Sequence, residues 1–267
     1  MMFDISKSVG CTERMNYLKR GFLFYMCSSC MLLVQFAIYL VNSNYWESLN
    51  FVGGFYYLMA ALGQAFLFNL IPWVILYIPF TWWRQMRKVG TILFSCAIFL
   101  LNVLAYLNGI VFQLYKFHIN GFVLDLAFGG GGNQVFVFNN TLVLHGVLIG
   151  LLILLFTLAV VFIAYRYAWY VTSKQVKIGI YLFLFSCIAP QLTHAYAAAA
   201  NVNSITEVSA CLPQFYPLTA NRLMLKLGVI KKEDLYVNNP DKGKGHSFVY
   251  PLHPLEKVDS VKPLNIV

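Results

Sequence analysis

Charge is what this chain has least of. Only 11% of its 267 residues are Asp, Glu, Lys or Arg, where soluble domains carry roughly 25%. Acidic residues are the scarcer sign, 10 against 19 basic, for a formal net charge of +9. With 60% hydrophobic residues, a water-soluble fold with a solvated surface is excluded. Phosphate loops are missing too. Gly129–Gly132 has no following Lys-Ser/Thr and no GxGxxG frame. Cysteine is present at 11, 27, 30, 96, 187 and 211. Cys27 and Cys30 form a CxxC inside an apolar run, where a redox or zinc site lacks access and further ligands. Both read as small membrane-buried residues. No metal and no cofactor is expected.

Apolar length is what the chain does have. Five runs approach the ~20 residues a bilayer core requires, at about 21–41, 55–79, 90–112, 141–165 and 178–200. The fold class expected is all-α: a polytopic membrane protein with five transmembrane helices over residues 1–200, followed by a short amphipathic helix and linker. The first run is too long for a signal-peptide core, and Val41-Asn42-Ser43 offers no small-residue cleavage site. None of the five runs contains Asp, Glu, Lys or Arg. Ion-coupled transporters keep such groups at membrane depth, so transport is disfavoured, as it is by the lack of an internal repeat. His145 and His194 stand near run ends and read as packing or hydrogen-bonding residues. Gln35, Gln64, Asn69, Asn102 and Gln191 read as partners between helices. Pro190 is expected to kink the fifth span.

Basic residues set the expected orientation. Lys7, Arg14, Lys19 and Arg20 precede the first run. Arg84, Arg87 and Lys88 follow the second, and Arg166, Lys174 and Lys177 follow the fourth. The two opposite short loops hold only Lys116. This bias places the N-terminus in the cytoplasm and the residues after the fifth span outside it. Trp82, Trp83, Tyr167, Trp169 and Tyr170 fit the interfacial belt on the basic side. Such a face attracts anionic headgroups, at ~1 kcal/mol per basic residue. Topology determination alone explains the same pattern. Cys211 falls on the opposite side, without an evident partner.

Three further segments carry signals. Phe122–Phe128 reads as a re-entrant or surface helix between the third and fourth spans. Asn139-Asn140-Thr141 is a formal glycosylation sequon against the membrane. Ala195–Asn201 resembles a signal-peptidase site, so release of the following tail is one reading and helix packing the other. Residues 201–236 form an interfacial linker and helix. Within them Tyr216–Gly228, YPLTANRLMLKLG, has Thr219 as a helix N-cap, Gly228 as a stop, and Leu223, Met224 and Leu227 as an apolar face. Arg222 and the first-turn amides make either a lipid-phosphate site or an ordinary interfacial helix. Residues 237–267 read as a polar tether ending in the first strand of a further domain, so the chain is expected to be a fragment.

The chain resembles the membrane portion of the YejM/PbgA (LapC) family of Gram-negative inner-membrane proteins. The resemblance rests on the basic N-terminus before five spans, on Phe117-His118-Ile119-Asn120 and on Thr193-His194-Ala195-Tyr196. Its most specific part is Leu212–Arg222, which matches the family's LPxxYPxTAxR linker. It extends through about residue 236. It implies a periplasmic place for the amphipathic helix and linker, a sulfatase-like periplasmic domain beyond the tether, and sensing of lipopolysaccharide at the outer leaflet of the inner membrane. It also implies relay to a LapB–FtsH proteolytic pathway controlling lipid A synthesis. Carried over, Thr219, Ala220, Asn221 and Arg222 hold lipid A phosphates. Asn221 stands where better-known members have a first Arg, which removes one charge-assisted contact of ~1.5–3 kcal/mol; Lys226 or Lys231 could compensate. The basic face of Arg84, Arg87, Lys88, Arg166, Lys174 and Lys177, with spans one and five, becomes a candidate surface for cardiolipin, other anionic phospholipids or a LapB-type partner.

Two functions follow. One is a non-catalytic membrane domain of a lipopolysaccharide-sensing regulator. The other is the anchor of a sulfatase- or phosphoethanolamine-transferase-like enzyme whose catalytic domain lies elsewhere. In both, this stretch of chain is not itself an enzyme.

Overall fold

The structure is a computed structural model that describes residues 2–47, 49–129 and 140–229. Among the described residues there are helices and no strands. Five helices are long and apolar enough to cross a membrane, over Thr12–Val41, Phe51–Thr81, Arg84–Tyr115, Val143–Tyr170 and Ser173–Ala199. The chain is a multi-pass membrane protein. The second and third spans extend beyond both limits read from hydropathy, and the first, fourth and fifth beyond the limit on the basic side, because charged and aromatic ends belong to the same helices as the apolar middles.

The first span lies within α1 (Met2–Val41). The second is α2 (Phe51–Pro72), started by Asn50, whose Oδ1 accepts from the Gly53 amide at 2.7 Å. Past Pro72 the helix loosens into a π turn over Trp73–Tyr77 and a 3-10 turn over Ile78–Thr81. Pro79 in that last turn lacks an amide, so regular α-helix cannot continue through it. The third span is α3 (Arg87–Tyr115), ended by Lys116 in the left-handed region at φ 59°. Next come the short α4 (Gly121–Phe128), the fourth span α5 (Asn140–Tyr167) and the fifth span α6 (Ser173–Ala199). Thr172 and Gln175 form a reciprocal capping box at the start of α6. After α6 come α7 (Asn203–Thr206), a 3-10 turn over Val208–Cys211 and α8 (Asn221–Lys226). Pro190 lies inside α6, which runs unbroken across it.

α1 is the central helix, packed on α2, α3 and α5, while α6 lies against α2 and α3 lies against α5. In lipid, helices are held by close packing and hydrogen bonds more than by expulsion of water. Gly63 shows the packing: a Cβ there would collide with the Ser186 carbonyl oxygen. That carbonyl lies four residues before Pro190, so it has no helical amide to accept from. The hydrogen bonds follow the same logic. Gln35 Nε2 donates to Asn102 Oδ1 at 2.8 Å, and Asn69 Nδ2 donates to Ser29 Oγ at 3.1 Å. Those three amides join helices as the sequence suggests, each bond worth roughly 0.6–2 kcal/mol.

At the end of the bundle that carries the basic loops, Tyr17 and Tyr77 bind each other twice. Their rings stack with centroids 4.2 Å apart and planes 2° off parallel. Tyr17 donates to the Tyr77 carbonyl at 3.2 Å, and Tyr77 donates to the Tyr17 carbonyl at 2.8 Å. Gly21 leaves room for the Tyr77 ring, and Gly90 for the Tyr17 hydroxyl. At the far end, Ile205, Val208, Cys211 and Leu212 sink among Leu40, Tyr56, Tyr57 and Phe112. Residues 203–212 are therefore a packed cap on the bundle rather than a loose connection.

Candidate functional site

The chain leaving this cap is pinned to two helices. Gln64 on α2 donates from Nε2 to the carbonyls of Pro213 and Gln214, at 3.0 and 3.3 Å. Gln191 on α6 accepts from the Leu218 amide at 2.8 Å, and His194 Nδ1 donates to the Leu218 carbonyl at 3.0 Å. His194 is buried, as is Gln64. The sequence reading gave Gln64 and Gln191 the task of joining helix to helix; they hold the linker instead. An extended segment has no ladder of its own, so its backbone groups need side-chain partners wherever water is excluded.

The four expected site residues follow directly. Thr219, Asn221 and Arg222 are exposed, and Ala220 is half-buried. Thr219 is not the N-cap. Ala220 occupies that position, with its carbonyl accepting from the Met224 amide at 2.9 Å and no side-chain cap. The helix therefore starts one residue late, and its first-turn amides lack a side-chain acceptor. Gly228 is the stop, at φ +69°. The Val229 amide reaches the Met224 carbonyl at 3.0 Å and the Gly228 amide reaches that of Leu225 at 3.2 Å, the double bond of a Schellman end. The buried-side pair on α8 is Met224 and Leu225, while Leu223 and Leu227 face outward. Of the expected face Leu223, Met224 and Leu227, only Met224 is half-buried, so the helix presents a side turned by about one residue. Arg222 has no carboxylate partner among the described residues. Lys226 lies in the last turn of α8, and Lys231 lies outside the described residues, as does the tether from 237.

A second polar node supports the cap. His118 stacks on Phe112, with ring centroids 4.6 Å apart and planes 8° off parallel. Its Nε2 donates to the Ala210 carbonyl at 3.1 Å, and its Nδ1 accepts from Asn108 Nδ2 at 2.9 Å. Asn108 Oδ1 in turn accepts from the Ile119 amide at 2.7 Å, and Asn120 Oδ1 caps α4 through the Val123 amide at 3.1 Å. Burial holds the His118 pKa below the ordinary histidine value, against the pull of the Ala210 and Cys211 carbonyls. Cys211 is free and fully buried, and burial raises its thiol pKa. It is an inert core residue.

The basic face is less free than its sequence suggests. Arg84 and Arg87 both reach Glu13, at 2.8 and 3.5 Å. Arg87 also donates to the Thr81 carbonyl at 3.3 Å. Arg14 lies over Trp82, with its guanidinium 5.2 Å from the ring centre. Lys88, Arg166, Lys174 and Lys177 are exposed. The partner sequence reasoning missed is Glu13, whose signal was its position among four basic residues. His145 is exposed on α5, apart from both nodes. The sequon at Asn139 falls outside the described residues. Among the described residues, no three His, Cys, Asp or Glu side chains come together as metal ligands.

No curated protein sequence matches the chain. A family model described as a domain of unknown function, DUF3413, matches residues 12–257, nearly the whole length. That match takes in all five spans, the cap and the pinned linker. The chain belongs to the DUF3413 family, the N-terminal domain of sulfatase-like proteins of the YejM/PbgA type.

Proposed function

We propose that the chain is a non-catalytic membrane domain that senses lipid A at the bilayer surface and regulates envelope lipid synthesis. The observation that carries this reading is the pinned linker. Gln64, Gln191 and His194 fix residues 213–218, so Thr219–Arg222 stand at a set place at the mouth of the bundle. Exposed Arg222 and uncapped first-turn amides suit a phosphate there. The resemblance of Leu212–Arg222 to the linker of lipopolysaccharide sensors supplies the ligand class. In this reading the basic end faces the cytoplasm of a bacterial inner membrane, in keeping with the positive-inside bias. The far end then meets the outer leaflet. The exposed cations Lys88, Arg166, Lys174 and Lys177 are left to anionic phospholipid or a LapB-type partner.

The place of DUF3413 in sulfatase-like proteins also favours a second reading, the anchor of an envelope hydrolase or transferase. Lipid binding by the purified chain separates the two. Native mass spectrometry with lipid A, cardiolipin and phosphatidylcholine, on wild type and Arg222→Ala, should show preferential lipid A binding that falls about tenfold or more in the variant, since a charged hydrogen bond is worth ~1.5–3 kcal/mol. Equal binding of all anionic lipids, unmoved by the substitution, would leave the anchor.

A further inference from the structure

A cleft of about 690 Å³ opens between α3 and α5 on the outside of the bundle. It stands at the basic end, opposite the linker; its assignment rests on the reading of Lys88 as a contact for anionic phospholipid and not on lipid A binding at the linker. Its walls are large and apolar, with Ile92, Phe99 and Leu100 on α3 and Leu154, Leu158 and Val161 on α5. The hydroxyls that line it are spent. Thr91, Ser95 and Thr157 donate to carbonyls of their own helices at 3.0, 2.7 and 2.8 Å. The mouth differs from the walls. Lys88 and Tyr165 stand there, and the guanidinium of Arg20 lies 4.6 Å from the Tyr165 ring centre. The described ion pairs both fall on Glu13 and use Arg84 and Arg87. The charges of Lys88 and Arg20 therefore have no carboxylate to answer them among the described residues.

Depth decides what fits. Lys88 and Leu100 bound the cleft along one helix, a rise of roughly 18 Å at 1.5 Å per residue. One leaflet contributes roughly 15 Å of a ~30 Å hydrocarbon core. The cleft is one leaflet deep, cationic at the water and apolar to the midplane. A partner helix is the poorer occupant. Helices in a membrane are glued by unspent polar groups; here the hydroxyls of Thr91, Ser95 and Thr157 are satisfied within their own helices, and Phe99, Leu100, Leu154 and Leu158 project among them. We propose that the cleft between α3 and α5 holds an acyl chain of an anionic phospholipid, whose phosphate sits between Lys88 and Arg20.

The test is photo-crosslinking of the purified full chain in phosphatidylcholine nanodiscs. The probes are phosphatidylglycerol and phosphatidylcholine, each with a diazirine midway along one acyl chain. Adducts should map to 92–100 and 154–161 and should be several-fold more abundant with phosphatidylglycerol. Lys88→Gln should lower that yield about fivefold, the share of one basic residue at a charged surface. Cys96→Trp, which fills the cleft, should abolish it. Should Cys96→Trp lose its melting transition, Lys88→Gln, on the exposed rim, decides alone. Adducts spread equally onto Ile71 and Ile75, which face outward from the second span, would overturn the proposal. So would equal yields from the two lipids, or a cleft left unlabelled because a protein segment covers it.

Discussion

His194 and Gln191, three residues apart on α6, take both backbone polar groups of Leu218: the carbonyl at 3.0 Å and the amide at 2.8 Å. One helix face thus fixes one residue of an otherwise extended segment. Replacing His194 or Gln191 with Ala should free residues 216–224. With each bond worth about 1 kcal/mol, amide hydrogen exchange there should quicken roughly fivefold. Exchange in α3 should stay the same, and equal quickening in α3 would mean that the bundle itself had loosened.

His118 makes stability depend on pH. Burial depresses its pKa from the ordinary 6.5, so the folded state resists the proton that the unfolded state accepts. The contribution of this residue is complete above about 6.5 and is lost as pH falls from there through the depressed folded value. The melting temperature in detergent should drop between pH 7 and 5. His118→Gln should be less stable at pH 7 and should flatten that slope.

Gly63 sets the spacing of α2 against α6. Gly63→Leu should cost about 1–3 kcal/mol by forcing the helices apart, read as a lower melting temperature. Gly150 on α5 has nothing within 4 Å of a would-be Cβ. Gly150→Leu is the matched control and should melt as wild type does.

The Tyr17–Tyr77 pair should behave as a unit. Tyr17→Phe and Tyr77→Phe each remove one buried hydroxyl-to-carbonyl bond and should each cost about 1 kcal/mol. The double variant should lose less than the sum, because the two share one contact. Strict additivity in a thermal-unfolding cycle would show that the two bonds act independently.

Five spans were legible because an apolar run of ~20 residues has few other uses. Gly228 was legible because φ +69° suits glycine almost alone. Gln35, Asn69 and Asn102 declared themselves as polar groups that must pair inside a membrane. Gln64 and Gln191 declared the same need, but nothing local says whether the partner is a helix or a passing strand of linker. The start of α8 was misread by one residue because Thr219 is the better capping residue and Ala220 took the position regardless. Thr219 lies one residue beyond Leu218, whose pairing to α6 sets where the chain can turn. The cap was not read from the sequence, which took 201–236 as an interfacial linker: Ile205, Val208, Cys211 and Leu212 fall at helical spacing, but their seat in the bundle is a tertiary fact. Arg84 and Arg87 looked like a free basic face because their shared anion, Glu13, sits some seventy positions earlier.

The cap also sets an order of events at the ribosome. Leu40, Tyr56 and Tyr57 are made early, but they are covered by Ile205, Val208 and Leu212. At roughly 5–20 residues per second, about ten to thirty seconds separate Leu40 from Leu212. Throughout that interval the far end of the nascent bundle is a crevice waiting for its lid. A chain stalled after the fifth span would have all its helices inserted and the far end of the bundle still open to lipid, to a chaperone or to a protease.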